Sequence, residues 1–305
     1  MRAVRLLRCG APLVDADIAD REPRPGEVRV EIRAAGICHS DAHYRAGGGG
    51  VALPLTLGHE IAGVTDSGDR VAVHYLLPDG SMFGKEHDGG YAESIVVPRE
   101  NLVPIPDQVR FEQAAVMMCS TATAYHALRL ASLRAGESLA ILGFGGLGAS
   151  AVQLARLLGA GDVFAVDRVS KKREVAKEFG AIAISGDLPP IDIALDFAGN
   201  ADLCRAALRA LKPGGRLMIV AINLRSLEID PYADVLARER RIIGVSDHTR
   251  EELVELMELA RAGRIDLSRV ITRRVALSAA AINEVLDDLD RGTAHLRTVI
   301  ETRKR

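Results

Sequence analysis

The hydrophobic pattern of residues 138–167 predicts a strand, a glycine-rich turn, a helix and a second strand. Ser-Leu-Ala-Ile-Leu at 138–142 is an apolar run that leads directly into Gly-Phe-Gly-Gly-Leu-Gly at 143–148. Apolar residues then recur at helical spacing as far as Leu158, and the apolar run 163–166 ends in Asp167. Strand, turn and helix therefore follow one another without an intervening loop.

Each glycine of this turn has a physical use in binding a dinucleotide. Gly143 permits a tight turn, Gly145 lets backbone N–H groups approach a pyrophosphate, and Gly148 lets the helix pack closely on the strand. Asp167 follows Gly143 at the distance where such a unit needs a carboxylate for the ribose hydroxyls. The alternatives are a glycine turn that binds nothing and a Rossmann-type methyltransferase site. The candidate cofactor-binding residues here are Gly143, Gly145, Gly146, Leu147, Gly148 and Asp167.

Helical patterns alternate with apolar strands between Gln113 and Gly263, which predicts a doubly wound parallel sheet with strand order 3-2-1-4-5-6. The six predicted strands are 138–142, 163–166, 181–185, 193–197, 216–222 and 241–245. The helix after the fourth strand carries an apolar stripe from Leu203 to Leu211. Thr249 and Glu252 form a capping box, and Ser278 caps a further helix.

The first hundred residues have a different pattern of short strands and turns. Val28, Val30 and Ile32 alternate with charged residues, as expected of a half-buried strand, and similar runs follow at 61–64, 70–73 and 94–97. This pattern predicts an antiparallel, barrel-like β domain, to which a last strand at 296–300 returns. We expect one domain to comprise 1–120 and 249–305 and the other to comprise 121–248.

Length and charge fit this two-domain plan and argue against some partners. The 305 residues, 48% of them hydrophobic, suffice for two ordinary cores. A net charge of −2 without a basic patch argues against nucleic acid and anionic membranes. The chain has neither 18 consecutive apolar residues nor a signal-peptide core, so we expect a cytoplasmic protein. Arg303-Lys304-Arg305 is interpreted as a solvated end.

Three residues could form a metal site, although their spacing alone does not require one. The four cysteines are too few for a disulfide scaffold, which leaves metal binding or free thiols as their uses. Cys38, His59 and Cys119 make a Cys₂His set suited to zinc, with a fourth position open for water or substrate. They are far apart in sequence and lack C-x-x-C pairing, so spacing alone favours two buried free cysteines and a structural histidine.

Motifs in a shared order identify a resemblance to zinc-dependent medium-chain alcohol dehydrogenases. The resemblance runs nearly end to end and is carried by Gly-Ile-Cys-His-Ser-Asp-Ala-His at 36–43, Gly-His-Glu at 58–60, Gly-Gly-Tyr-Ala-Glu at 89–93, Cys-x-x-x-Thr-x-Tyr at 119–125 and the turn at 143–148. It implies a GroES-like β-barrel catalytic domain joined to a Rossmann nucleotide-binding domain. It also implies reversible hydride transfer between an alcohol and a nicotinamide cofactor.

The resemblance assigns roles to individual residues. Cys38, His59 and Cys119 would be catalytic zinc ligands, with Glu60 as an alternative ligand, and Ser40 and His43 would form a proton relay. Further residues would contact the cofactor: Thr123 beside the nicotinamide, Lys172 near the adenosine ribose, and Arg297 at the pyrophosphate. Arg168 is a further cofactor candidate because its charge directly follows Asp167. The chain departs from many relatives between Tyr75 and Asp88, where no cysteine occurs. We therefore expect one zinc and no structural zinc.

The most favoured function is a zinc-dependent alcohol dehydrogenase that interconverts alcohols with aldehydes or ketones, and we expect its substrates to be lipophilic. The alternatives are a zinc-free quinone or enoyl reductase of the same superfamily and a non-catalytic nucleotide-binding protein. Asp167 favours NAD, whereas Arg168 and its neighbouring lysines leave NADP possible. Val116, Met117 and Met118 precede a zinc ligand and could either line a lipophilic substrate site or belong to a helix core. Relatives of this type imply a homodimer or homotetramer.

Overall fold

The computed structural model describes residues 1–223, 225–292 and 295–302. These residues divide into two compact units. Unit 1 contains residues 1–120 and the described residues from Thr249 onwards, and unit 2 contains Thr121–His248. The Arg303-Lys304-Arg305 end lies outside the described residues. Within the described part of the chain, no helix is both long and apolar enough to cross a membrane.

The strands and helices are numbered in chain order. The strands are β1 (Arg2–Leu6), β2 (Val14–Asp17), β3 (Glu27–Ile37), β4 (Leu55–Thr56), β5 (Glu60–Thr65), β6 (Arg70–Val73), β7 (Ser94–Pro98), β8 (Leu102–Pro104), β9 (Leu139–Leu142), β10 (Val163–Val166), β11 (Ile182–Ile184), β12 (Ile191–Asp196), β13 (Leu211–Ile219), β14 (Arg241–Gly244), β15 (Ile271–Ala276) and β16 (Arg297–Glu301). The α-helices are α1 (His39–Arg45), α2 (Phe111–Val116), α3 (Ala122–Leu130), α4 (Gly146–Leu157), α5 (Ser170–Glu178), α6 (Ala201–Ala210), α7 (Arg250–Arg261) and α8 (Ala279–Arg291). Short 3₁₀ segments occur at Arg99–Asn101 and Leu236–Arg238, and π-helical turns at Met117–Thr121 and Pro231–Val235.

Unit 1 is built on a largely antiparallel sheet with β3 near its centre. The strand order is β15-β16-β3-β5-β6-β8, and β7 also pairs with β3. Alternate side chains of β3 are buried, so the predicted half-buried strand is confirmed. The predicted return of the last strand is also confirmed, because β16 pairs antiparallel with the C-terminal end of β3.

Unit 2 is a six-stranded parallel sheet with the order β11-β10-β9-β12-β13-β14. Numbered along the chain this is 3-2-1-4-5-6, so the predicted doubly wound topology is confirmed. Most strands differ from their expected bounds by one or two residues, and the largest difference is at β13, which begins at Leu211 directly after α6. The stretch Lys212-Pro213-Gly214-Gly215 therefore falls within β13, at a register irregularity that accommodates the proline and glycines.

Candidate active site

The register of three strands brings the predicted metal ligands of unit 1 together. β3 ends at Ile37, so Cys38 follows it directly, and β5 begins at Glu60, so His59 directly precedes it. Gly36 pairs with Glu60 across β3 and β5, and Ile37 pairs with Thr298 across β3 and β16. Antiparallel pairing therefore places Cys38, His59 and the start of β16 at one end of the sheet.

Cys119 reaches the same place from a helical segment. It lies on the π-helical turn Met117–Thr121 that follows α2, and α2 packs against β3, β5 and β16. Single π-helical turns within helices occur often at functional sites. The ligand atoms of four residues lie within 4.8 Å of one another, and they belong to Cys38, His59, Glu60 and Cys119.

The donor atoms of this group fit a zinc ion. The two sulfur atoms are 4.0 Å apart. Two thiolates on one tetrahedral zinc, each at about 2.3 Å, are separated by about 3.8 Å. Among the described residues, the buried Glu60 Oε2 atom has no hydrogen-bond partner, so it is free to act as a ligand. Sulfur, imidazole and carboxylate are all ligands that zinc accepts.

Charges within the group are strongly coupled. A hydrogen bond shared with Cys119 lowers the pKa of Cys38 well below its usual value, and His59 and Arg297 contribute to this shift. The same pairing with Cys38, followed by burial, raises the pKa of Cys119. Burial alone would lower the pKa of His59, but Asp41 and Cys38 raise it well above its usual value. The protein thus concentrates negative charge here and balances it with protons, which a cation could displace.

Glu60 is also held by a buried ion pair with Arg297. Both side chains are almost inaccessible to solvent. Burial raises the pKa of Glu60 to about 7, although the charge of Arg297 opposes this shift. Arg297 was expected at a cofactor pyrophosphate, and the structure pairs its guanidinium with Glu60. An ion pair formed through Oε1 leaves Oε2 for a metal.

Asp41 has no predicted role in the sequence, and the structure brings it next to the candidate ligands. Its Oδ2 atom accepts a hydrogen bond from the Cys38 backbone N–H at 2.8 Å, and its Oδ1 atom lies 3.3 Å from His59 Nδ1. Carboxylates commonly orient metal-binding histidines in this way. In the sequence, Asp41 lies three residues after Cys38, the residue that precedes α1. Carboxylates are favoured at this position near the start of a helix.

The two relay candidates lie on α1. Ser40 is its second residue, and the N-cap position before it is occupied by Cys38. The imidazole of His43 stacks on that of His39 with ring centroids 4.9 Å apart. Burial, reinforced by nearby His39, lowers the pKa of His43 from its usual value. Neutral His43 is thereby favoured, which suits a proton acceptor.

The glycine turn of unit 2 has the geometry that its sequence predicts. Gly143 has a positive φ of 95°, and a Cβ atom at Gly148 would lie 2.6 Å from the Gly143 carbonyl oxygen. Within the described residues, nothing lies within 4 Å of a Cβ placed at Gly145, the N-cap of α4. The space beside Gly145, at the start of α4 with Gly146 and Leu147, is therefore open to a phosphate.

Asp167 lies at the carboxyl end of β10 and is fixed against this turn. Its two carboxylate oxygens accept hydrogen bonds from the backbone N–H groups of Phe144 and Val169, each at 2.8 Å. Arg168 is exposed and Lys172 is half-buried. Burial lowers the pKa of Lys172, while Asp167 opposes that shift. Thr123 is buried on α3.

The structure distinguishes between the two alternatives for the residues before Cys119. Val116, Met117 and Met118 have no solvent-exposed surface, so they do not line an open substrate site. They are buried at the end of α2 and in the π-helical turn that follows it, which agrees with the core alternative left open by their sequence. The prediction of lipophilic substrates loses this support and stays a prediction.

Two family models match the chain. Residues 24–107 match the model described as alcohol dehydrogenase GroES-like domain, and residues 146–262 match the model described as zinc-binding dehydrogenase. A NAD-dependent alcohol dehydrogenase of Saccharolobus solfataricus is 30% identical over 98% of this chain and 99% of its own length. An alcohol dehydrogenase of Geobacillus stearothermophilus is 31% identical over 92% of each chain.

Solved structures agree with these matches. The thermostable alcohol dehydrogenase of Pyrobaculum aerophilum, solved with cobalt and zinc bound, superposes with a TM-score of 0.87 at 27% identity and covers 99% of each chain. The chain belongs to the family of zinc-dependent medium-chain alcohol dehydrogenases. Its units accordingly have the GroES-like and Rossmann folds that the sequence resemblance implied.

Proposed function

We propose that this protein is a zinc- and nicotinamide-dependent oxidoreductase that interconverts alcohols with their aldehydes or ketones. The observation that carries the proposal is the group Cys38, His59, Glu60 and Cys119, whose ligand atoms lie within 4.8 Å of one another. Relatives described as NAD-dependent alcohol dehydrogenases support the reaction class. Unit 1 would be the catalytic domain and unit 2 the nucleotide-binding domain.

The residues of unit 1 would divide the work as follows. Cys38, His59 and Cys119 would hold one zinc ion, and Glu60 would be an alternative ligand. Bound zinc supplies a Lewis acid that lowers the pKa of the alcohol. The hydroxyl of Ser40 would accept the alcohol proton, and neutral His43 would carry it onward toward solvent. Stacking on His39 restricts the imidazole of His43.

The glycine turn, Asp167 and the remaining cofactor residues would hold the nicotinamide cofactor. A pyrophosphate would occupy the open space before α4, and Asp167 would accept hydrogen bonds from the ribose hydroxyls. Each oxygen of Asp167 already receives one backbone N–H and has lone-pair capacity for another donor. A carboxylate repels a 2′-phosphate, so we propose NAD as the preferred cofactor, with Arg168 and Lys172 leaving NADP possible. Thr123 and Arg297 are proposed as further contacts to the cofactor.

We also propose that the protein is a homodimer or homotetramer. β14 is the last strand of its sheet and has no further strand beside it among the described residues. Its Ile242 is 36% exposed, although edge strands of monomers are usually blunted by charge. Light scattering tests this proposal, and Ile242→Lys should lower the mass. A monomeric wild-type protein would overturn it.

Metal analysis combined with turnover tests the principal proposal. Purified protein should contain one zinc per chain and should oxidise NADH in the presence of a ketone from a panel of small ketones. Cys38→Ala should lose both zinc and turnover, whereas the matched control Cys9→Ala, at an exposed cysteine, should keep both. Turnover without zinc would favour a zinc-free reductase. Zinc without turnover on the whole panel would favour a non-catalytic protein, and two tightly held zinc ions per chain would contradict the single site.

A further inference from the structure

The Gly-Gly-Tyr segment at 89–91 lies beside the segment 56–59 in unit 1, which contains the candidate metal ligand His59. The backbone N–H of Gly89 donates to the Thr56 carbonyl at 2.7 Å, that of Gly90 to Gly58 at 2.6 Å, and that of Tyr91 to Leu57 at 3.0 Å. The Gly-Gly-Tyr segment therefore follows the backbone of the segment that ends at His59. Its position relative to a candidate metal ligand is fixed by main-chain hydrogen bonds.

The side chain of Tyr91 is enclosed at this junction. It is fully buried, and its ring lies against Gly58, the residue before His59. Gly58 has a positive φ of 93°, and a Cβ atom there would overlap the Tyr91 ring. Glycine is therefore required for two reasons, the backbone conformation and the close approach of the ring. The ring has little freedom to move.

The hydroxyl of Tyr91 donates a hydrogen bond to Asp41 Oδ2 at 2.7 Å. The same oxygen accepts the Cys38 backbone N–H at 2.8 Å. Two donors on Oδ2 fix the rotation of the carboxyl group, which turns Oδ1 toward His59 Nδ1 at 3.3 Å. Neither of these last two atoms has a hydrogen-bond partner among the described residues, so each is available to the other.

We propose that Tyr91 is a positioning residue for the metal site and acts on His59 through Asp41. A fixed Asp41 carboxylate favours the His59 tautomer that carries its proton on Nδ1, and Nε2 is then the ring nitrogen left for the metal. Without the tyrosine hydroxyl, the Asp41 carboxyl group can rotate and the histidine is held less firmly. This inference rests on the proposed function, because it requires the site to bind zinc.

Zinc affinity, measured by competition with a chromogenic chelator, tests the role of Tyr91. Tyr91→Phe removes only the hydroxyl and should weaken zinc binding by about 10- to 100-fold, the usual effect of removing an outer partner of a metal ligand. Tyr44→Phe is the matched control in the same unit, because Tyr44 is also buried and its hydroxyl lies on Met82 Sδ rather than on Asp41. It should bind zinc as the wild type does.

A double variant separates positioning from general destabilisation. If Tyr91 acts through Asp41, Tyr91→Phe should change zinc affinity less than twofold in an Asp41→Ala background. An unchanged 10- to 100-fold loss in that background would overturn the proposal, and so would equal affinities of Tyr91→Phe and Tyr44→Phe. If Tyr91→Phe folds only with metal present, both variants are loaded with cobalt and the rate of cobalt release is measured. Release from Tyr91→Phe should then be at least about tenfold faster than release from Tyr44→Phe. Equal release rates would overturn the proposal.

The wild-type measurement keeps the two proposals distinct. Wild-type protein that binds no zinc would contradict the proposed function itself. Wild-type protein that binds zinc, accompanied by Tyr91→Phe with the same affinity, would contradict only the role of Tyr91.

Discussion

Gly36 and Glu60 are paired across β3 and β5, and the Glu60 carboxyl group occupies the space that a side chain at Gly36 would need. A Cβ atom at Gly36 would overlap Glu60 Oε2. The absence of a side chain on one strand therefore creates room for a buried carboxylate on the next. That carboxylate pairs with Arg297 and has an oxygen within 4.8 Å of the sulfur atoms of the candidate metal site.

Gly36→Ala should destabilise the protein and weaken zinc binding together. The new methyl group would displace a carboxylate that is buried and ion-paired, and overpacking of this kind costs about 1–3 kcal/mol. Urea denaturation measures the free energy of unfolding, and chelator competition measures zinc affinity. Gly186→Ala is the matched control, because nothing in the described structure lies within 4 Å of a Cβ there. Equal effects of the two substitutions would refute this steric account.

The sequence predicted the fold well where its signals were local. The glycines at 143–148 and the apolar runs around them predicted the order of the parallel sheet, because each strand and helix carries its own periodicity. The alternating strand at 28–32 and the caps at Thr249 and Ser278 were equally local, and both caps are present. These features depend on few neighbours, so one sequence is enough to specify them.

The candidate metal site depended on contacts that no spacing reveals. Cys38, His59 and Cys119 are brought together by strand register and by the packing of α2, and resemblance alone connected them in the sequence. The roles of Asp41 and Tyr91 were missed for the same reason. The burial of Met117 and Met118 could not be decided either, because methionine suits a core and a binding site equally.

Asp167→Ser should shift cofactor preference toward NADP(H). The substitution removes a charge that repels a 2′-phosphate and leaves the nearby Arg168 available to it. The ratio of kcat/KM for NADPH to that for NADH should rise about tenfold or more, which corresponds to about 1.4 kcal/mol. Asp162→Ser, at an exposed aspartate before β10, is the control and should leave the ratio unchanged. A wild-type enzyme that already prefers NADPH would contradict the proposed role of Asp167.

Ser40→Ala should slow turnover while zinc stays bound. Removal of a positioned proton-transfer group usually costs about 10²-fold or more. The comparison requires a slow alcohol for which hydride transfer limits kcat, together with zinc analysis of each sample. His43→Gln should cost less, because water can replace an outer relay member, and imidazole-type buffers should restore part of its rate. A wild-type kcat in Ser40→Ala across pH 6 to 9 would remove Ser40 from the relay.

The pH dependence of alcohol oxidation should reflect the protonation state of the His43 imidazole. Its pKa is lowered by burial and by His39, while Asp290 and Cys38 oppose that shift. The neutral acceptor should therefore persist below pH about 6.5, the usual value for histidine, and the rate should fall only as pH drops through the lowered pKa. His39→Gln should move this acid limb to higher pH, and Asp290→Asn should move it to lower pH. Shifts in the reverse directions, or none, would contradict the assignment.

Removal and return of zinc test the central claim most directly. Three samples are taken from one preparation of the wild-type protein: before metal removal, after chelation, and after addition of one zinc per chain. Each is mixed with excess ketone and with one NADH per chain. The account predicts one hydride transfer per site in the first and third samples and none in the second, with NADH consumed and alcohol formed in equal amounts. Equal transfer in all three samples would contradict a zinc-dependent reaction at Cys38, His59 and Cys119.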